Sequence, residues 1–329
     1  MSSFESYSQY SGNKLILGLG KTGLSVANFL TAQGDDVAVM DTRELPPCLS
    51  ELRMISPKIE VITGGLDAER LMQSSLIVLS PGIDPRLPEI VAAKEAGVEV
   101  IGDIELFARH VNAPVIAITG SNGKSTVTTL LAEMMAVAGK KVRLGGNLGT
   151  PALDLLVEPA PDFYVLELSS FQLETVSSLN AVAAVVLNLT PDHLDRYDSE
   201  ADYQLAKSKV FTGNGVMVIN VDDAAVLALA DDERKQVCFG LEINHRNDFG
   251  LIEHNGKVCL AQDKTPLLTI DELKIAGLHN VANALAALAL GSAIDLPITS
   301  MLTALRDYAG LPHRCRLVIE RDGVRWYND

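Results

Sequence analysis

The chain has 329 residues, 27 Lys and Arg against 42 Asp and Glu, a net charge of −15 and a hydrophobic share of 47%. Such an acidic surface repels phosphate backbones and anionic lipid, which excludes general nucleic-acid and membrane-surface binding but not a locally positive nucleotide pocket. The apolar content is too high for disorder, and at about 150 residues per domain the length suggests two domains and a remainder.

Met1–Asn13 is polar and lacks a basic stretch followed by an apolar run, so no secretory leader is expected. Cys48, Cys238, Cys259 and Cys315 are scattered without a C-x-x-C pair, which fits reduced thiols in a cytoplasm better than a zinc site or disulfide framework. Apolar runs then alternate with amphipathic stretches, the pattern of a parallel sheet covered by helices. Lys14–Leu17 reads as a strand, Gly18–Gly23 as a tight turn, Leu24–Gln33 as a helix and Val37–Met40 as a second strand ending at Asp41. Leu76–Leu79, stopped by Ser80-Pro81-Gly82, and Val98–Ile101 read as further strands.

After Asn112-Ala113-Pro114 the pattern restarts with a strand at Val115–Thr119, a loop at Gly120–Gly123 and a helix at Lys124–Ala138. Tyr164–Leu168, Ala183–Leu189 and Val216–Asn220 suit buried parallel strands. Ala201–Phe211 and the Ala-rich run Asn280–Ala289 read as helices, and Cys238–Leu268 as a small β-rich section. Past Gly310-Leu311-Pro312, Arg316–Glu320 and Val324–Tyr327 flank a turn and predict a hairpin. The expected fold is α/β: a Rossmann-like domain over 1–110, a P-loop-type parallel-sheet domain over 111–310, and the start of a third domain over 311–329.

Gly18-Leu19-Gly20-Lys21-Thr22-Gly23 matches G-x-G-x-x-G between strand and helix, and Asp41 closes the next strand where an acid can bond a ribose. The motif alone leaves three readings open: a nicotinamide cofactor, another diphosphate nucleotide, or a glycine turn serving packing. Gly120-Ser121-Asn122-Gly123-Lys124-Ser125 is more specific: backbone N–H groups cradle phosphates, Lys124 reaches terminal ones and Ser125 ligates Mg²⁺. Its G-x-x-G-K-S spacing is two residues shorter than the usual P-loop. Glu167, near a strand end, is either a ligand of the same ion or a glutamate paired with a cation. Asp192 and His193 follow another strand and read equally as site residues or solvated loop residues. Lys207 and Lys209 read as a solvated helix face; Asn280 and Asn283 as a helix cap or as amides reading adenine.

Longer stretches carry a family resemblance: Gly18–Ser25, Ser80–Ile83, Gly102–Phe107, Ile118–Thr126, Gly145–Gly149, Glu167–Glu174, Asp192–Tyr197, His279–Ala284 and Gly310–Arg314. In this order they resemble the Mur ligases of peptidoglycan synthesis, and among these the D-glutamate-adding kind, over nearly the whole chain. The short phosphate loop, odd for a Walker motif, is normal in that family.

The resemblance implies an ATP-dependent ligase that joins D-glutamate to UDP-N-acetylmuramoyl-L-alanine through an acyl phosphate, in a cytoplasmic monomer. It places the UDP diphosphate at Gly20, Lys21, Thr22, Gly23, Ser80 and Gly82, with Asp41, Thr42 and Arg43 toward the uridine. Asn147 and His193 would lie by the muramoyl group, and Gly120, Ser121, Asn122, Gly123, Lys124, Ser125, Thr126, Asn280, Asn283 and Arg314 around ATP. Two Mg²⁺ ions would be held by Ser125, Glu167, His193 and a carbamylated Lys207, with Lys124, Lys207 and His193 as the catalytic set. Family members continue into a third α/β domain that binds the incoming amino acid, so the expectation is that residues 1–329 bind UDP-substrate, and ATP weakly, without ligating. The competing readings are a non-catalytic nucleotide-binding module, an NAD-dependent oxidoreductase, and another Mur enzyme or folylpolyglutamate synthase.

Overall fold

The computed structural model describes residues 13–192, 195–242, 248–311, 316–321 and 324–328, the last two ranges as backbone. The chain divides into two compact units. The first runs to Val111 and takes in two later segments, Pro151–Val157 and Phe171–Ser178; the second holds the remainder.

The first unit is a five-stranded sheet of β1 (Lys14–Leu17), β2 (Val37–Asp41), β3 (Glu60–Thr63), β4 (Leu76–Leu79) and β5 (Glu99–Gly102) in the order β3-β2-β1-β4-β5. All its pairings are parallel. The three central strands are nearly all buried, as strands covered on both faces must be, and Leu15, Leu17, Met40, Ile77, Leu79 and Ile90 form the core. The sequence reading overlooks β3, whose residues Glu60–Thr63 are only half-buried on the sheet's edge and carry a weak apolar signal. The order reverses at β1, which lies between β2 and β4, so the Gly18–Gly20 turn leaves the sheet at its switch point. The helix after it spans Lys21–Ala32, one turn earlier than the apolar pattern predicts, because Lys21-Thr22-Gly23 is already its first turn.

The second unit contains β6 (Val115–Thr119), β7 (Val142–Gly146), β8 (Phe163–Glu167), β9 (Ala183–Val186), β10 (Val216–Asn220), β11 (Gln236–Phe239), β12 (Phe249–His254), β13 (Lys257–Gln262) and β14 (Thr265–Thr269). They form one sheet in the order β14-β13-β12-β11-β10-β9-β6-β8-β7. Pairing is parallel from β7 through β12 and antiparallel across β12, β13 and β14, which accounts for the choppy β-rich stretch in the sequence. The helix Leu278–Ala293 buries small apolar side chains against the helix Lys124–Val137 and the strands, so the Ala-rich run is a packing face. It begins after Gly277, which corrects the reading of Asn280 as its cap; Asn280 sits in the first turn. β7 escaped notice because it ends in two glycines on the sheet's other edge. β15 (Arg316–Arg321) and β16 (Val324–Asn328) form the expected antiparallel hairpin.

Segment Phe171–Ser178 joins the first unit through Glu105, on the helix Asp103–Ala108. One carboxylate oxygen accepts the backbone N–H groups of Ser177 (2.8 Å) and Ser178 (2.9 Å); the other accepts the Ser178 hydroxyl (2.8 Å) and Arg109 Nε (3.0 Å). Burial alone would raise its pKa, but these donors favour the charged form and hold it at about 2. A depressed carboxylate pKa contributes stability that is present above the unfolded value and lost as pH falls through the folded one. Glu105→Gln is therefore expected to destabilise the protein by on the order of 3 kcal/mol near neutrality. The difference from the parent should shrink as pH falls from 4.5 towards about 2, measured by urea unfolding across that range.

Candidate functional site

In the second unit, β6 lies between β8 and β9, and its chain turns at Gly120–Gly123 into the helix Lys124–Val137. Gly123 caps that helix at φ +82°, a left-handed conformation that glycine adopts without strain, and a Cβ there would collide with the Asn283 carboxamide. The first turn of a helix presents N–H groups without intrahelical partners and the positive end of its dipole, a ready anion site. Lys124 folds back over the loop, its Nζ donating to the carbonyl oxygens of Gly120 and Ser121, both at 2.9 Å. Ser125, in the same turn, is buried.

Glu167 ends β8 and stands opposite Ile118 of β6 in the parallel register. It is 2% exposed; one oxygen accepts Asn147 Nδ2 at 2.7 Å, and among the described residues Oε2 has no hydrogen-bond partner. Lys207, predicted on a solvated face, is instead 2% exposed on the helix Glu200–Ser208. Its Nζ donates to the Gly120 carbonyl at 2.9 Å, contacts Thr119 Oγ1 at 3.4 Å and lies 4.8 Å from the centre of the Tyr203 ring. The amphipathic pattern failed here because a lysine can bury its stem and present its amine to a carbonyl and an aromatic face. Burial, and then the like charge of Lys124, push its pKa down to about 7, against the opposing pull of Asp192 and Glu167. A buried carboxylate oxygen without a donor among the described residues, on the strand paired with the one that leads into the loop, suits a hard divalent cation.

Beside the loop opens a cleft of about 650 Å³ lined by Asn122, Gly123 and Thr126 and, across from them, by Lys274, His279, Asn280, Asn283 and Phe239. Asn280 Nδ2 donates to the Ala276 carbonyl (2.7 Å), and its Oδ1 accepts Asn283 Nδ2 (3.2 Å), so the two amides are oriented as a pair. Amide groups beside the aromatic ring of Phe239 in such a cleft suit a heterocyclic base.

In the first unit, the Ser80 hydroxyl donates to the Gly18 carbonyl at 2.8 Å, and Gly20 caps the helix that carries Lys21, Thr22 and Gly23. Asp41 is 1% exposed and both its oxygens are engaged. Oδ2 accepts the Leu19 N–H and an Arg43 amine, each at 2.6 Å; Oδ1 accepts the Arg43 N–H (2.9 Å) and Nε (2.8 Å). Against the cost of burial, the Arg43 guanidinium and the two N–H groups hold its carboxyl below the usual range. Thr42 and half-exposed Arg43 extend beyond it, and Gly82 lies in the turn after β4.

The second unit thus gathers Gly120–Thr126, Asn147, Glu167, Lys207, Asn280 and Asn283, while Gly20–Gly23, Asp41–Arg43, Ser80 and Gly82 gather in the first. His193 and Arg314 lie outside the described residues. Sequence reasoning missed Thr119, Asn188 and Tyr203, all bonded to the loop or to Lys207. Asn188 carried one usable signal, a polar residue inside the apolar run Ala183–Leu189, of which only Ala183–Val186 is strand; nothing in the sequence said that this strand borders β6.

Two family descriptions match the chain: "Mur ligase MurD-like, N-terminal domain" over residues 12–102 and "Mur ligase middle domain" over 118–291. The UDP-N-acetylmuramoylalanine–D-glutamate ligase of Nitrosococcus oceani is 52% identical over 321 residues, which cover 98% of this chain and 71% of the relative. The ligase of the same name from Pseudomonas aeruginosa is 52% identical over 316 residues, 96% and 70% of the two chains. Among solved structures, the UDP-N-acetylmuramate:L-alanyl-gamma-D-glutamyl-meso-diaminopimelate ligase of Neisseria meningitides superposes with a TM-score of 0.63 at 20% identity, covering 92% of this chain and 100% of that one. UDP-N-acetylmuramate-alanine ligase of Thermotoga maritima gives 0.57 at 22% identity, covering 95% and 72%; both likenesses concern the fold. With two family domains in order and half of its residues identical to D-glutamate ligases along nearly its whole length, this chain belongs to the Mur ligase family.

Proposed function

We propose that this chain carries the UDP-substrate and ATP sites of an ATP-dependent ligase that joins D-glutamate to UDP-N-acetylmuramoyl-L-alanine. The observation that carries the chemistry is Glu167, a buried carboxylate with one oxygen unpartnered among the described residues, on the strand paired with the one that leads into a lysine-bearing loop. The choice of substrates rests on the 52% identity to ligases of that name. Neither a nicotinamide enzyme nor a bare nucleotide-binding module accounts for the Gly120–Ser125, Glu167 and Lys207 cluster.

A carboxylate and an ammonium do not condense in water, so the alanyl carboxylate is first activated. Its oxygen attacks the γ-phosphorus, the bond to the bridging oxygen breaks, and ADP leaves with the electron pair. The D-glutamate amine then attacks the acyl carbon, phosphate departs, and the new amide nitrogen loses its proton. Lys124 and the first N–H groups of its helix hold the phosphates and offset their charge. Ser125 and Glu167 would hold Mg²⁺, with His193 and a carbamylated Lys207 serving a second ion. Bound Mg²⁺ supplies the positive charge that lets a carboxylate approach a polyphosphate. Conversion of the buried Lys207 amine to a carbamate would provide a carboxylate-like ligand beside the loop. In the first unit, Gly20–Gly23, Ser80 and Gly82 would receive the diphosphate. Asp41, both of whose oxygens are used internally, would act by aiming Arg43 towards the uridine. The acidic surface supports a protein that binds no nucleic acid, and the nucleotide-linked substrates a cytoplasmic one; its being a monomer rests on the family resemblance alone.

Three measurements test this reading. Calorimetry should give at least about tenfold weaker ATP binding for Lys124→Ala, the scale of one charge-assisted contact, with UDP-N-acetylmuramoyl-L-alanine binding unchanged. The parent should prefer UDP-N-acetylmuramoyl-L-alanine over UDP-N-acetylmuramate; equal affinity would contradict the assigned substrate. Equilibration with ¹³C-bicarbonate should produce a carbamate carbon resonance that is absent from Lys207→Arg.

A further inference from the structure

The phosphate loop is two residues shorter than the common form, and it is tied to the segment that follows β9. Leu187 N–H bonds the Thr119 carbonyl (2.9 Å) and Ser121 N–H the Asn188 carbonyl (3.0 Å), which extends the β6–β9 pairing beyond the sheet. A Cβ at Gly120 would lie 2.9 Å from Leu187 Cβ and 3.2 Å from its nitrogen, so this close approach requires glycine. The Ser121 hydroxyl is bracketed by Thr190, accepting its N–H at 3.0 Å and donating to its carbonyl at 3.1 Å.

Asn188 adds a different contact. Its Oδ1 accepts the Asn122 N–H at 2.8 Å, and its Nδ2 donates to the Asn122 carbonyl at 3.1 Å. One carboxamide therefore grips both polar groups of a single loop residue, fixing the peptide planes on either side of Asn122, the second of which leads into Gly123 and the helix. The clamp is itself anchored from behind. Asn220 Nδ2 donates to the Leu187 carbonyl (2.8 Å), and the Asp223 carboxylate accepts the Leu189 N–H (2.7 Å).

We infer that Asn188 is a positioning residue for nucleotide phosphates: it holds the shortened loop in its phosphate-receiving shape through the Asn122 peptide. A longer P-loop wraps its anion with its own backbone, whereas this one has too few residues to constrain itself and borrows a brace from the neighbouring strand. Because the Asn122 N–H is committed to the brace, the anion is left to the N–H groups from Gly123 onward and to Lys124. The inference rests on the ATP reading above and extends it.

The test is calorimetric titration of the whole chain with ATP, ADP and AMP in the presence of Mg²⁺, for the parent, Asn188→Ala and Asn188→Asp. Asn188→Asp keeps the acceptor for the Asn122 N–H, replaces the donor with a negative charge, and guards against loss of fold in Asn188→Ala. Both variants should bind ATP and ADP about tenfold or more weakly, the effect of one or two lost hydrogen bonds. AMP affinity and thermal midpoint should stay near the parent's, a phosphate-dependent pattern that general destabilisation would not produce. Equal losses for ATP and AMP would make Asn188 a nucleoside contact or a structural residue, and unchanged ATP binding would dismiss the brace; either result overturns the inference. A parent chain that binds none of the three nucleotides would instead overturn the ATP reading on which it rests.

Discussion

Two ammonium groups converge on one carbonyl oxygen, that of Gly120, with Lys124 and Lys207 each donating to it at 2.9 Å. Like charges at such separation repel, and the burial of Lys207 sharpens the conflict, as its lowered pKa records. The arrangement is tolerable because Glu167 and Asp192 stand near enough to oppose it, and it favours any anion that enters. Lys124 thus brings a positive charge to this loop inside a protein whose net charge is −15. Long-range repulsion of polyanions is compatible with a local anion site because the field inside a partly dry cleft is set by its nearest groups.

The two glycine loops use the same strand–turn–helix device, but the acid beside each is employed differently. Asp41 spends both oxygens on Leu19 and Arg43 and becomes part of the loop's framework. Glu167 spends one oxygen on Asn147, and the other has no donor among the described residues. A saturated carboxylate orients its neighbours, and an unsaturated buried one is costly unless a cation completes it. This difference separates an acid whose oxygens are both committed to its loop from one that keeps an oxygen open among the described residues.

Much of the architecture was legible because parallel strands covered on both faces must be continuously apolar, and β1, β4, β6 and β10 have the bounds their sequence predicts. The edge strands β3 and β7 were not, since a strand half open to water or ending in glycines loses that signature. Lys207 shows the limit for sites: helical periodicity assigns it to water, and only the packing of its helix beside β6 turns it inward. Segments 151–157 and 171–178 illustrate the same point for domains, because Glu105 and Ser25 recruit them to the first unit through hydrogen bonds spanning more than a hundred residues in one case and about seventy in the other.

The sequence by itself determined the two α/β repeats, the glycine loops that open their first helices and the family to which the chain belongs, since all three reside in local spacing and in the order of motifs. Tertiary structure decided which strand end braces the phosphate loop, which carboxylate is saturated and which lysine is buried. Those outcomes depend on neighbours that sheet order brings together across long stretches of chain, where hydrogen bonds and burial act on distance in space and leave no trace in spacing along the sequence.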